Sequence, residues 1–259
     1  MFLSKYAEES FLNVMRGAVF NAPTQVFCGL FLTSPGDMGN TGTELSYPGY
    51  QRMPVTFANP APVGTGIGII NDTEIVFPQS PTAAGTVRFI GIYDSVTGGN
   101  MYLYGQLTED LPISANIAPV LLISETLFFS IGDLSTAYKT RLFNVVRGQT
   151  LSGIEPHCAL FNGDPQTGGA ELAGNNYERI PLVFTAPAKE PGGHTVIRNI
   201  SKVNFNRPTT NWGTWSWTAI TDSAAGGLIV WNQQIPASMQ VRRGYMPFVE
   251  AGDITVGVN

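Results

Sequence analysis

The chain carries one sequence written twice, and that repetition limits what it can fold into more than any other feature. Leu12-Asn13-Val14-Met15-Arg16-Gly17 returns 131 residues later as Phe143-Asn144-Val145-Val146-Arg147-Gly148. Cys28-Gly29-Leu30-Phe31 returns as Cys158-Ala159-Leu160-Phe161, and Tyr50-Gln51-Arg52-Met53-Pro54 as Tyr177-Glu178-Arg179-Ile180-Pro181. Asp94 to Gly99 returns as Asp222 to Gly227, and Phe128 to Leu134 is echoed by Phe248 to Ile254. The matches keep their order, with offsets between 120 and 131. A period of that length is a whole small domain, not a solenoid unit. The chain therefore divides into copy one, residues 1–133, and copy two, residues 134–259.

Composition selects the fold class. Charged residues are only 13% of the chain, Gly (29) and Pro (18) are frequent, and 43% of residues are apolar. Such a chain has enough apolar surface for a core, and its many turn-formers favour an all-β protein. Each copy opens with a short helical pattern, capped by Ser4 or Ser135 and stopped at Arg16-Gly17 or Arg147-Gly148. Strands follow at Gln25–Leu32 and Pro156–Phe161. A hairpin closes through the Gly-Gly turns at Asp94–Gly99 and Asp222–Gly227. The expected architecture is all-β: two tandem homologous β-sandwich or jelly-roll-like domains, each opened by a short α-helix. No spacer separates the copies, so they are expected to be held rigidly against one another.

Charge is unevenly divided. Residues 1–130 carry 4 basic and 10 acidic side chains, residues 131–259 carry 10 and 9. Phosphate binding requires clustered Lys and Arg, and Arg242-Arg243 is the single basic doublet, so nucleic acid is not an expected partner. Met1–Gly17 carries charges and no apolar run, which argues against a signal peptide, and no stretch is long and apolar enough for a transmembrane helix. Cys28 and Cys158 occupy equivalent positions, which reads as two buried free thiols and not as a disulfide.

Motifs that carry chemistry are missing. His157 and His194 stand alone, and no metal-ligand spacing occurs. Gly64–Gly68 lacks the Lys-Ser/Thr of a phosphate loop and reads as a flexible loop. Asp94 and Asp222 begin Gly-Gly turns, where Asp is a good turn residue. Asn71-Asp72-Thr73 and Asn199-Ile200-Ser201 match the glycosylation pattern. Trp212, Trp215, Trp217 and Trp231 all lie in copy two. Strand alternation puts Trp215, Trp217 and Ala219 on one face, which favours core packing over a sugar platform. No catalytic residue, cofactor or metal site is expected.

Arginines repeated in both copies are what packing alone does not explain. Arg16 and Arg147, with Arg52 beside Tyr50 and Arg179 beside Tyr177, fit an inter-subunit interface. They equally fit internal ion pairs, with Glu44 and Glu171 as partners.

At these residues the chain resembles small virion proteins of tailed bacteriophages of the tail-fibre or decoration-like kind. The resemblance rests on Leu12–Gly17, Leu30–Pro35, Gly42–Leu45, Tyr50–Arg52, Gly91–Asn100 and Gly132–Leu134. Copy two departs from it: Gly91 becomes Ala219, Asn100 becomes Leu228, and the aromatic strand gains two Trp. The resemblance implies a non-enzymatic virion component, assembled in the host cytoplasm. Capsid decoration by oligomeric docking is the first expectation; a tail, collar or fibre-associated protein is the alternative, and a carbohydrate-binding adsorption module a second. Implied partners are the chain itself, as a homo-oligomer such as a trimer, and the major capsid protein or tail proteins.

Overall fold

A computed structural model describes residues 2–64, 66–124, 128–130, 134–191 and 193–258. Gly132 and Asp133 of the repeated Gly-Asp motif, and with them the last residue of copy one, lie outside the described residues. Copy one contains β1 (Phe2–Leu3), α1 (Lys5–Val14), β2 (Val26–Phe31), β3 (Met53–Val55), β4 (Ala61–Val63) and β5 (Gly66–Ile69). It continues with β6 (Ile75–Val76), β7 (Gly85–Tyr93), β8 (Met101–Ile113), β9 (Val120–Leu121) and β10 (Phe128–Ser130). Copy two contains α2 (Thr136–Val145), β11 (His157–Phe161), β12 (Ile180–Pro181), β13 (Ala188–Lys189) and β14 (Thr195–Arg198). Its remaining strands are β15 (Val203–Asn204), β16 (Gly213–Thr221), β17 (Ile229–Val241), β18 (Phe248–Val249) and β19 (Thr255–Val258).

The protein is all-β, with one short helix opening each of two tandem copies. In copy one the main sheet runs β1-β8-β7-β2-β3 and a second sheet runs β10-β5-β4. Copy two repeats them as β12-β11-β16-β17 and β13-β14-β19. Each copy adds a two-stranded ribbon, β6-β9 or β15-β18. The helices begin where their Ser caps stand: Ser4 Oγ accepts from Ala7 N at 3.1 Å, and Ser135 Oγ from Tyr138 N at 3.3 Å. They end before Gly17 (φ +88) and Gly148 (φ +86), left-handed positions that glycine adopts without strain. Among the described residues no helix is long and apolar enough to cross a membrane.

The copies are interleaved. Helix α1 packs between its own β8 and the β14 and β19 strands of copy two, while α2 packs against β17 and against β5 of copy one. Phe11, Leu12 and Val14 on α1 and Tyr138 and Phe143 on α2 are buried within one contiguous apolar cluster that includes residues of both copies. Each such side chain contributes about 1.5–3 kcal/mol on burial, so the crossing helices are a large part of what holds the halves together. The contacts are reciprocal. Arg16 Nε donates to the Phe184 carbonyl at 3.4 Å and Arg147 Nε to the Phe57 carbonyl at 3.1 Å. Phe57 and Phe184 are themselves equivalent, 127 residues apart. A contact from i to j matched by one from j to i is the mark of a two-fold axis, here within one chain. The core does not divide where the sequence repeats.

Three expectations are corrected. The Gly64–Gly68 run is not simply a loop: Gly66 begins β5, whose Ile67 and Gly68 pair with β4 and β10. The final echo is also out of register with the structure. Phe248-Val249 forms β18 and corresponds to Val120-Leu121 in β9, while Phe128 in β10, paired with Ile69, corresponds to Val256 in β19, paired with Ile197. The echo therefore does not join equivalent strands of the two copies. Lastly, Trp215 and Trp217 do not share a face. The β16–β17 register shifts between them, so Trp215 joins the main core while Trp217 packs with Phe161 and Ala219 in a separate small cluster. The β7–β8 pair shifts at the equivalent place, between Val87 and Phe89.

Candidate functional site

The repeated arginines resolve into two kinds. Arg52 stands on the loop entering β3 and is buried. It clamps the Glu44 carboxylate in a fork, Nε to Oε1 and Nη2 to Oε2, both at 2.8 Å. Its Nη1 donates to the carbonyls of Gly98 at 2.7 Å and Ser95 at 3.3 Å, and its guanidinium stacks 3.5 Å from the Tyr93 ring centre. Arg179 repeats this on Glu171 at 2.9 and 2.7 Å and on the carbonyls of Gly226 and Ser223 at 2.6 and 3.0 Å. Tyr50 Oη accepts from Leu30 N at 2.8 Å and faces Glu44; Tyr177 Oη accepts from Leu160 N at 3.1 Å and donates to Glu171 at 2.8 Å.

Each cluster therefore pins three pieces of one copy together: the long surface loop, the strand after it and the Gly-Gly hairpin turn. Burial is the largest single influence on Arg52 and works against its charge, but the Glu44 hydrogen bonds and the attraction of the surrounding Glu44, Tyr93 and Tyr50 together hold its pKa above the ordinary value. For Arg179 the Glu171 hydrogen bonds are the largest influence and act in the same direction. Burial pushes the Tyr50 and Tyr177 phenols up, so both stay neutral. Of the six residues expected at an interface, Tyr50, Arg52, Tyr177 and Arg179 are thus engaged inside their own copy. Arg16 and Arg147 join the two copies to each other; each also bonds its helix's own Asn13 or Asn144 at 2.6 Å.

Sequence reading missed a second repeated pair. Asn71 and Asn199, which match the glycosylation pattern, are buried. Asn71 Nδ2 donates to the carbonyls of Thr73 and Leu122 at 2.9 and 2.7 Å; Asn199 Nδ2 donates to those of Ser201 and Glu250 at 2.9 and 2.8 Å. Both amides tie a ribbon strand to its neighbour and are closed to modification. Their shared offset of 128 was the available signal. Cys28 and Cys158 are buried free thiols, and burial pushes the Cys28 thiol up to about 12, which leaves it unreactive.

Open surface lies at the ribbons. Beside β9, a groove of about 360 Å³ is lined by Leu107, Glu109, Asp110 and Val120. Its counterpart beside β18, about 470 Å³, is lined by Trp215, Trp231, Ile235, Met239 and Phe248. The sequence profile of the family described as "Podophage GP4 fiber I protein gp80" matches residues 2–125 and, a second time, residues 133–257. The chain belongs to this family. The family profile matches each copy once, in series, and each copy contains its own Arg–Glu–Tyr cluster and its own ribbon groove. Comparison with curated proteins returns no match.

Proposed function

We propose that the chain is a structural component of a phage particle, built into or onto its fibre apparatus, and that it works by docking against neighbouring virion proteins. The match of the fibre-protein family to both copies carries this reading. The geometry agrees with it. The repeated arginines stiffen each copy and lock the copies to one another, which suits a rigid building block whose work is burying surface against neighbours. Docking in place of catalysis is part of the proposal.

Capsid decoration, the first expectation from sequence, uses the same architecture, and the fibre description of the family moves the weight to the fibre reading. The carbohydrate-binding alternative loses its platform: Trp212, Trp215 and Trp231 are buried, and Trp217 is partly buried against Ala219 and Phe161. Quantitative mass spectrometry of purified virions tests the proposal. Copies in the dozens, lost together with the fibres when these are sheared off, support it. Copies in the hundreds that stay with the capsid would establish decoration, and absence from the particle would end both readings.

A further inference from the structure

The two ribbons sit at equivalent places, yet their surroundings have diverged in a complementary way. Both leave large apolar side chains in the open. In copy one these are Val76, Ile117, Leu122 and Ile123, and Ile117 is 60% exposed. In copy two they are Met239, Tyr245, Met246 and Phe248, and Tyr245 is 66% exposed. Scattered exposed apolar residues need no explanation, but a cluster of them at a groove marks a contact site.

Charge around the clusters changes sign from copy to copy. At the constant offset of 128, Glu74 becomes Lys202, Gln79 becomes Arg207, and Ser114-Ala115 becomes Arg242-Arg243. The acidic rim residues Glu109 and Asp110 become Ala237 and Ser238. All of these are exposed. Arg207 Nε donates to the Gly244 carbonyl at 3.3 Å, which holds it beside the Arg242-Arg243 turn. Asp110 is partnered by Arg88 at 3.1 Å and Lys202 by Glu250 at 2.8 Å, so Glu74 and Glu109 on one side and Arg242 and Arg243 on the other carry most of the difference. Methionine, aromatic residues and arginine are what buried interface centres are enriched in, and that is the composition of the copy-two face.

The copy-two groove is also the more aromatic. Trp215 and Trp231, which line it, stand where copy one has Val87 and Leu103. The Trp231 Nε1–H is buried and has no acceptor among the described residues.

Two like faces brought together would oppose acid to acid or base to base. Unlike faces would match charge and seat exposed aliphatic side chains in an apolar groove. We propose that chains associate head to tail, with the acidic ribbon face of copy one docking on the basic, groove-bearing ribbon face of copy two in the next chain. Such a contact is heterologous, so it builds a ring where the rotation closes and a filament where it does not. This rests on the reading that the chain works by docking.

The test uses the full chain in sedimentation velocity over a range of concentrations and salt. Wild type is expected to associate beyond the 27.9 kDa of one chain, more weakly as salt rises. The double variants Glu74→Arg/Glu109→Arg and Arg242→Glu/Arg243→Glu should each weaken self-association about tenfold, with tryptophan emission unchanged to show that they fold. Mixed in equal amounts they should associate again, because each then meets an opposite face. A wild-type chain that stays single at every concentration overturns the proposal. So does association that ignores salt and both reversals, or mixing that restores nothing. Either result in a protein still found in purified virions removes only this contact; absence from virions removes the docking reading beneath it.

Discussion

Phe20 and Leu151, equivalent residues 131 apart in the sequence, pair with each other across the seam. Each donates its backbone N–H to the other's carbonyl, at 2.8 Å from Phe20 and 3.0 Å from Leu151. A residue that meets its own counterpart lies on the two-fold axis, so the chain is a two-fold dimer whose subunits are joined covalently. The duplicated sequence builds one interleaved body, with each helix completing a core that belongs to both copies.

That body should unfold as a unit. All four tryptophans lie in copy two, so their fluorescence reports that copy. Leu30→Ala, in the core of copy one, should cost about 2–5 kcal/mol and should lower the midpoint seen by tryptophan fluorescence as much as the one seen by far-UV circular dichroism. Separate midpoints, with the fluorescence one unmoved, would mean that the copies fold independently.

The seam leaves no room at one glycine. A Cβ on Gly153 would stand 2.1 Å from the Gly17 carbonyl oxygen, a backbone atom that cannot swing aside. Gly153→Ala should therefore destabilise by about 1–3 kcal/mol or more, measured by urea unfolding. A change within a few tenths of a kcal/mol would show that the halves do not approach so closely.

Removing the arginine from a partly buried ion pair weakens what holds its carboxylate. Arg52→Met leaves Glu44 with only the Tyr50 hydroxyl and two carbonyls without their donor, and should cost about 1–3 kcal/mol, with Arg179→Met behaving alike. Arg52→Lys should recover only part, since an ammonium cannot make the fork. The double variant Arg52→Met/Glu44→Leu should be more stable than Arg52→Met alone, because no carboxylate is then left without its arginine. Denaturant midpoints of the three Arg52 variants settle the order.

Glu8 gives the fold a pH dependence. It lies on α1, is buried at the seam and accepts from the Thr195 hydroxyl of copy two. Burial raises its pKa above the ordinary carboxylate value, although the Thr195 hydrogen bond acts against the rise. The folded chain then holds this proton more tightly than the unfolded chain. Its contribution to stability is full below the ordinary carboxylate range and is lost as pH rises through the raised value. Glu8→Gln keeps an acceptor for Thr195 without the charge. It should raise the melting temperature at neutral pH on the order of 2–4 °C, as about 1 kcal/mol does in a chain of this size. At acid pH the gain should vanish. An equal gain at both ends of the range would contradict this account.

What the sequence determined by itself was whatever is set within a few residues or repeated between the copies. Ser4 and Ser135 cap helices because a hydroxyl meets an amide three residues on. Gly17 and Gly148 stop them, Asp94 and Asp222 open hairpin turns, and Glu44 and Glu171 were nameable as arginine partners because the Tyr-x-Arg segment lies close by in both copies. Only the tertiary structure decided where each helix goes. An apolar helix face carries no address, and α1 finds β14 and β19 of the other copy because burial there is shared by both cores. The shift that separates Trp215 from Trp217 is a property of the partner strand, so alternation along β16 could not reveal it. Phe248 resembles Phe128 through a short motif, yet strand pairing with Asn204 puts it in the place that Val120 holds in copy one. Register and burial depend on contacts between residues far apart in the chain, and local pattern is silent about them.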